Sequence, residues 1–146
     1  MKKHKIFIIC LLVLTFVSSY FYISTVSNQQ HNHGEKLVVR QVDLESLKKY
    51  FDSKKSFVFI LSKENCTFCE NLIKMLNTTA YTLKEETLIL HYTSKERKEI
   101  LNSLKELFPE VISVPSIYII KDGKIIDNMI GYTDEEQYWN FIYKHF

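Results

Sequence analysis

Two periods of apolar and polar residues alternate along this chain, and the switches between them mark its elements. From Ile6 to Val26 there are 21 residues without a charge. As a helix rising 1.5 Å per residue this run is about 31 Å long, the hydrocarbon thickness of a bilayer. Ser27–Gly34 is polar and helix-poor, a short tether. Strand-like runs then alternate with helical spacing. Leu37-Val38-Val39 predicts a short strand, and Asp43 caps a helix to about Asp52 with Leu44, Leu47 and Phe51 on one face. Phe57 to Leu61 is a continuous apolar run, as in a strand buried on both faces. Helical spacing resumes near Cys66 and continues to about Asn77, with Leu72, Ile73 and Leu76 inward.

Thr87–Tyr92 predicts the next strand. Ser94 is expected to cap a helix carrying Ile100, Leu101, Leu104 and Leu107 inward, and Phe108-Pro109 to stop it, because the residue before a proline avoids helical geometry. Ser116–Ile120 and Lys124–Ile130 flank Lys121-Asp122-Gly123, a hairpin signal. Asp134 caps a last helix with Tyr138, Trp139, Phe141 and Ile142. The order is β-α-β-α-β-α-β-β-α. Helix-linked strands imply right-handed parallel crossovers and the hairpin adds antiparallel pairing, so the expected class is α/β, a central mixed sheet flanked by helices on both faces and preceded by one transmembrane helix.

Composition narrows this picture. With 146 residues the chain suits one compact domain, and with ten Phe and nine Tyr along the chain a real core is within reach. The net charge of +2 comes from Lys2, Lys3 and Lys5; from Glu35 onward 16 Lys/Arg stand against 17 Asp/Glu, a net of −1. A near-neutral domain gives no reason to expect nucleic acid as a partner. The same three lysines hold the start of the chain in the cytoplasm by the positive-inside rule, and Tyr20 and Tyr22 suit the far interface. An uncleaved anchor is favoured over a signal peptide, since the apolar run exceeds the usual ~7–15 residues and Thr25-Val26-Ser27 is a poor cleavage site. The expected layout is a cytoplasmic start (1–5), a span (6–26), a linker (27–36) and an extracytoplasmic domain (37–146). Cys10 lies inside the apolar run and receives no role. His31 and His33 lack ligand-spaced companions and read as solvated.

The chemistry concentrates at Asn65-Cys66-Thr67-Phe68-Cys69. Where a helix opens near Cys66, the two thiols lie three residues apart on one face and can close a disulfide within a turn. Free N–H groups and the helix dipole favour the thiolate of the first cysteine, so Cys66 is expected to attack and Cys69 to resolve. Glu64 and Glu70 flank the motif and oppose that effect. His91, at a strand end, receives no role.

These residues resemble the thioredoxin family from about Leu37 to the C-terminus: Cys66-Thr67-Phe68-Cys69 after a buried strand, Val114-Pro115 before the next-to-last strand, and Lys121-Asp122-Gly123-Lys124 leading into a strand that ends at Gly131. The resemblance implies a thioredoxin fold, a cis Val114–Pro115 bond beside the disulfide, and an extended substrate pairing with the backbone of Val114. Thr67, Phe68, Val114 and Pro115 are thereby expected to contact substrate. Two departures stand out. The family's tryptophan before the first cysteine is Asn65 here, with Thr67-Phe68 in place of Gly-Pro, so the redox poise is not carried over. The family's buried aspartate, six residues before the first cysteine, is Ile60; Glu64 is the nearest candidate to replace it as proton acceptor, though a plain exposed loop carboxylate is the favoured reading of Glu64. Size, anchor and departing motif also resemble the bacteriocin transport accessory proteins, which suggests exported antimicrobial peptides as a substrate class.

The function these readings favour is an extracytoplasmic thiol-disulfide oxidoreductase, with the Cys66–Cys69 pair as its redox centre, no other cofactor and no metal. Its expected partners are exported protein or peptide thiols and disulfides, the membrane through the N-terminal helix, and a membrane redox partner that recycles the pair. The direction of electron flow stays open. The alternative is a non-catalytic peptide-binding module of the same fold, an accessory to peptide secretion; a metal site would need ligands from a second chain.

Overall fold

The computed structural model describes residues 37–108 and 113–146, all within one compact unit, Glu35–Phe146. The expected start, span and linker, with Cys10, His31 and His33, lie outside the described residues, as does Pro109. Among the described residues no helix is long and apolar enough to cross a membrane. The elements are β1 (Val39–Gln41), α1 (Leu44–Asp52), β2 (Phe57–Lys63), α2 (Thr67–Thr78), β3 (Thr87–Tyr92), α3 (Arg97–Leu104), β4 (Ser116–Lys121), β5 (Lys124–Ile130) and α4 (Glu135–Tyr143). Their order is the expected one.

The five strands form one mixed sheet in the order β1-β3-β2-β4-β5. β2 is central, which explains its unbroken apolar run: Phe57 to Ser62 are buried, with side chains going alternately to two layers. Val58 and Ile60 meet Leu72 and Leu76 of α2 and Tyr138, Trp139 and Ile142 of α4. Phe57, Phe59 and Leu61 meet Leu47 of α1, Leu104 of α3, and Phe108. The α4 layer is also fastened by polar contacts: Trp139 Nε1 donates to Thr79 Oγ1 at 3.1 Å, and the Tyr143 hydroxyl donates to Thr82 O at 2.8 Å. The edge strand β5 alternates exposed and half-buried residues, as a strand with one solvated face should.

Three expectations are corrected. β1 runs two residues later than Leu37-Val38-Val39, because an edge strand is placed by backbone pairing rather than by apolarity. Val39 aligns with Thr87, and Leu37 instead turns into the α2/α4 layer. Ser94 does not cap α3, which starts at Arg97 and ends at Leu104, short of Phe108. Its backbone N–H is taken by Glu64, while Thr93 and Glu96 bond each other ahead of the helix, and Phe108 N closes the end on Leu104 O at 2.7 Å. Finally, α3 does not make a parallel crossover. β2 pairs with β3 in parallel but with β4 antiparallel. That reversal has a functional consequence: Leu61, near the end of β2, aligns with Ser116, the first residue of β4. The segments that follow β2 and precede β4 therefore meet at one end of the sheet.

Candidate redox site

The cysteine motif is set by the way β2 is released into α2. Glu64 N donates to Tyr92 O at 3.0 Å, continuing the pairing with β3 past Lys63. Asn65 then takes a left-handed backbone (φ 54°), a conformation that asparagine tolerates better than most residues. The bend delivers Cys66 as the N-cap of α2, with Glu70 N donating to its carbonyl at 3.0 Å. Cys66 Sγ accepts from Cys69 N at 3.3 Å, the bond a serine or aspartate oxygen makes at an ordinary cap.

Cys66 and Cys69 are joined by a disulfide, with Cα atoms 5.2 Å apart. The two sulfurs differ in access. Cys66 is 8% exposed and borders a groove, whereas Cys69 is 1% exposed and turned into the domain. A reacting group can approach Cys66 first.

The groove has a volume of about 430 Å³; Lys63, Cys66, Phe68, Tyr92, Arg97 and Val114 are among its walls. Val114 faces the disulfide from the chain that leads into β4, and the Val114–Pro115 peptide bond is cis. That turn is tied at both ends: Gly131 N donates to Pro115 O at 2.8 Å, and the Ser116 hydroxyl donates to Ser113 O. Thr67 also lines the groove and is exposed, while Pro115 is buried behind Val114. Phe68 is 58% exposed and stacks on Tyr132, with ring centroids 5.8 Å apart. Gly131, at φ 96°, turns the chain out of β5 and places Tyr132 there.

Thus Cys66, Thr67, Phe68, Val114 and Pro115 gather at one end of the sheet, with Cys69 behind them. The sequence reading missed three neighbours. Tyr132 comes from the far edge of the sheet. Lys63 lies only three residues before Cys66, but no local pattern gives the direction of its side chain. Arg97 arrives on α3, and no local pattern pointed to it.

Glu64 and His91 do not line the groove. The Glu64 carboxylate accepts from Ser94 N at 2.6 Å, and His91 Nδ1 lies 3.0 Å from the Ser62 hydroxyl. Ile60 is fully buried among apolar side chains and offers no proton acceptor. Nearby, the backbone N–H of Thr93 and then its hydroxyl hold the Glu96 carboxyl below its ordinary range.

The model of the thioredoxin-like domain family matches residues 44–145, well over half of the chain. The chain belongs to the thioredoxin-like family. Solved thioredoxins share its fold. The Aeropyrum pernix protein matches at a TM-score of 0.55 and 11% identity over 72% of this chain and 85% of that one. Thioredoxin f of spinach chloroplast, in its short form, gives 0.53 and 19% over 75% and 96%. Oxidised thioredoxin of Plasmodium falciparum gives 0.56 and 15% over 73% and 97%. What this thioredoxin-like domain carries is a Cys-x-x-Cys disulfide at a helix N-terminus, facing an open groove. The arrangement is consistent with thiol-disulfide exchange.

Proposed function

We propose that this chain is a membrane-anchored, extracytoplasmic thiol-disulfide oxidoreductase acting on exported proteins or peptides. The observation that carries the chemistry is the Cys66–Cys69 disulfide itself, capping α2 with Cys66 on the groove side and Cys69 behind it. In the reducing direction the Cys66 thiolate attacks a substrate disulfide, forming a mixed disulfide and releasing one substrate thiolate. Cys69, as thiolate, attacks Cys66 Sγ, closing the Cys66–Cys69 bond and releasing the second, so that two electrons pass to the substrate. The oxidising direction is the reverse. Val114 and Pro115, with Thr67 and Phe68, form the wall against which an extended substrate lies.

Location is supported by the uncharged run 6–26 behind three lysines. An exported domain would be recycled by a membrane redox partner, and the resemblance to bacteriocin accessory proteins makes exported peptides the substrate class to try first.

Cys69→Ser in the full chain should trap a covalent mixed disulfide through Cys66; no trapped partner, together with insulin reduction at background, would leave the peptide-binding module. A reporter fused to the C-terminus reads location, and activity on the cytoplasmic side would overturn the exported reading. The equilibrium potential gives direction: a value near about −120 mV marks an oxidase and one near about −270 mV a reductant.

A further inference from the structure

We propose that Lys63 and Arg97 make the groove beside Cys66 a recognition site for acidic side chains that flank the reacting cysteine of the substrate. The inference rests on the oxidoreductase reading and adds a substrate chemistry to it.

The two cations come from different elements, Lys63 from the last position of β2 and Arg97 from the first position of α3, and both line the groove that Cys66 and Val114 border. Among the described residues no carboxylate lines that groove, and neither cation lies in an ion pair. Two acidic side chains close by in sequence are occupied elsewhere. Glu64 accepts from Ser94 N, and Glu96 accepts from the backbone N–H of Thr93 at 2.8 Å and from its hydroxyl at 2.7 Å. In a domain whose residues from Glu35 on sum to −1, the charged side chains that line the groove among the described residues are thus both cationic, next to the cysteine that substrate approaches. Charges placed this way raise the encounter rate of a complementary partner and penalise a like-charged one. A groove of about 430 Å³ has room for a few residues of extended chain, so the acidic side chain belongs within a residue or two of the reacting cysteine.

The test uses the reduced full chain and three disulfide-containing peptides that differ only in the residues flanking the cysteines: Asp, Asn or Lys. Rates are divided by those of dithiothreitol on the same peptides, which removes differences in the peptides' own reactivity. The Asp peptide should react about three- to tenfold faster than the Lys peptide at low salt, the modest gain expected of solvent-exposed pairs. The difference should shrink as added salt shortens the screening length. Lys63→Glu combined with Arg97→Glu should reverse the order; if that pair of changes unfolds the protein, Arg97→Gln alone should cut the Asp/Lys ratio about two- to threefold. Equal rates for the three peptides overturn the inference and leave the oxidoreductase reading standing. So does a variant that slows all three alike, since the cations would then act on Cys66 itself. If no peptide is reduced and Cys69→Ser traps nothing, both readings fall together.

Discussion

Cys66 serves as helix cap and as the more accessible half of a disulfide, at 8% exposure against 1% for Cys69. After reduction, Cys66 should therefore react with iodoacetamide at least about tenfold faster than Cys69 at neutral pH, as read by peptide mass spectrometry. Equal labelling would contradict the division into attacking and resolving sulfurs. Phe68 presents a different case. Its ring is mostly exposed and its contact with Tyr132 lies at the groove rim. Phe68→Ala should raise KM for peptide substrates about threefold or more, while shifting the unfolding free energy by less than about 1 kcal/mol. A large loss of stability with unchanged KM would make the pair structural. Both expectations belong to single side chains. The motif was visible in the sequence, but the difference in burial between its cysteines was not, because it depends on how deeply α2 packs.

At the scale of elements, the β4–β5 hairpin places its turn against α1. Asp122 and Gly123 both have positive φ, 51° and 71°, as a two-residue hairpin turn requires. A Cβ at Gly123 would lie 2.6 Å from Phe51 O and 3.2 Å from Lys54 Cα. At Gly131, φ is 96° but nothing lies within 4 Å of such a Cβ. Gly123→Ala should thus cost clearly more than Gly131→Ala in urea denaturation: about 3 kcal/mol or more against about 1–2, since only the first adds a backbone clash to the unfavourable φ. The cap of α4 is simpler. Asp134 accepts from Gln137 N at 2.8 Å, and Asp134→Ala should remove about 1 kcal/mol. Asp-Gly and the Asp134 cap were legible because each acts within four residues. The start of α3 was misread because Ser94 N is claimed by Glu64, thirty residues earlier, and no local rule reports that.

For the whole molecule, the C-terminus is tied back to the sheet. Asp127 of β5 meets Lys144 Nζ at 3.2 Å and His145 Nε2 at 2.8 Å, just beyond α4. Burial alone would raise the Asp127 carboxyl, but hydrogen bonds from Lys144, the Asn128 backbone and His145 outweigh it and hold it below its ordinary value of 3.8. A carboxyl lowered by folding stabilises the native state above its unfolded pKa, and that contribution is lost as pH falls through the lowered folded pKa. Asp127→Asn should therefore reduce Tm at pH 7, by no more than about 1 kcal/mol equivalent given its partial exposure, with the gap to wild type closing below pH 3.8. A gap that persists at pH 2 would mean that packing, not charge, is lost.

Sequence by itself determined the element order, the hairpin, the caps at Asp43 and Asp134 and the identity of the cysteine pair, because each follows from residues within a turn or two of one another. Strand order and direction came from elsewhere. A helix between β3 and β4 suggested a parallel crossover, yet β4 pairs antiparallel to β2, so its first residue lies beside the end of β2. That pairing brings Val114 and Pro115 to Cys66, lets Tyr132 reach Phe68, and sets Arg97 across the groove from the motif. Such neighbours are fixed by which faces bury against which, a sum over the two apolar layers that no local stretch of chain contains.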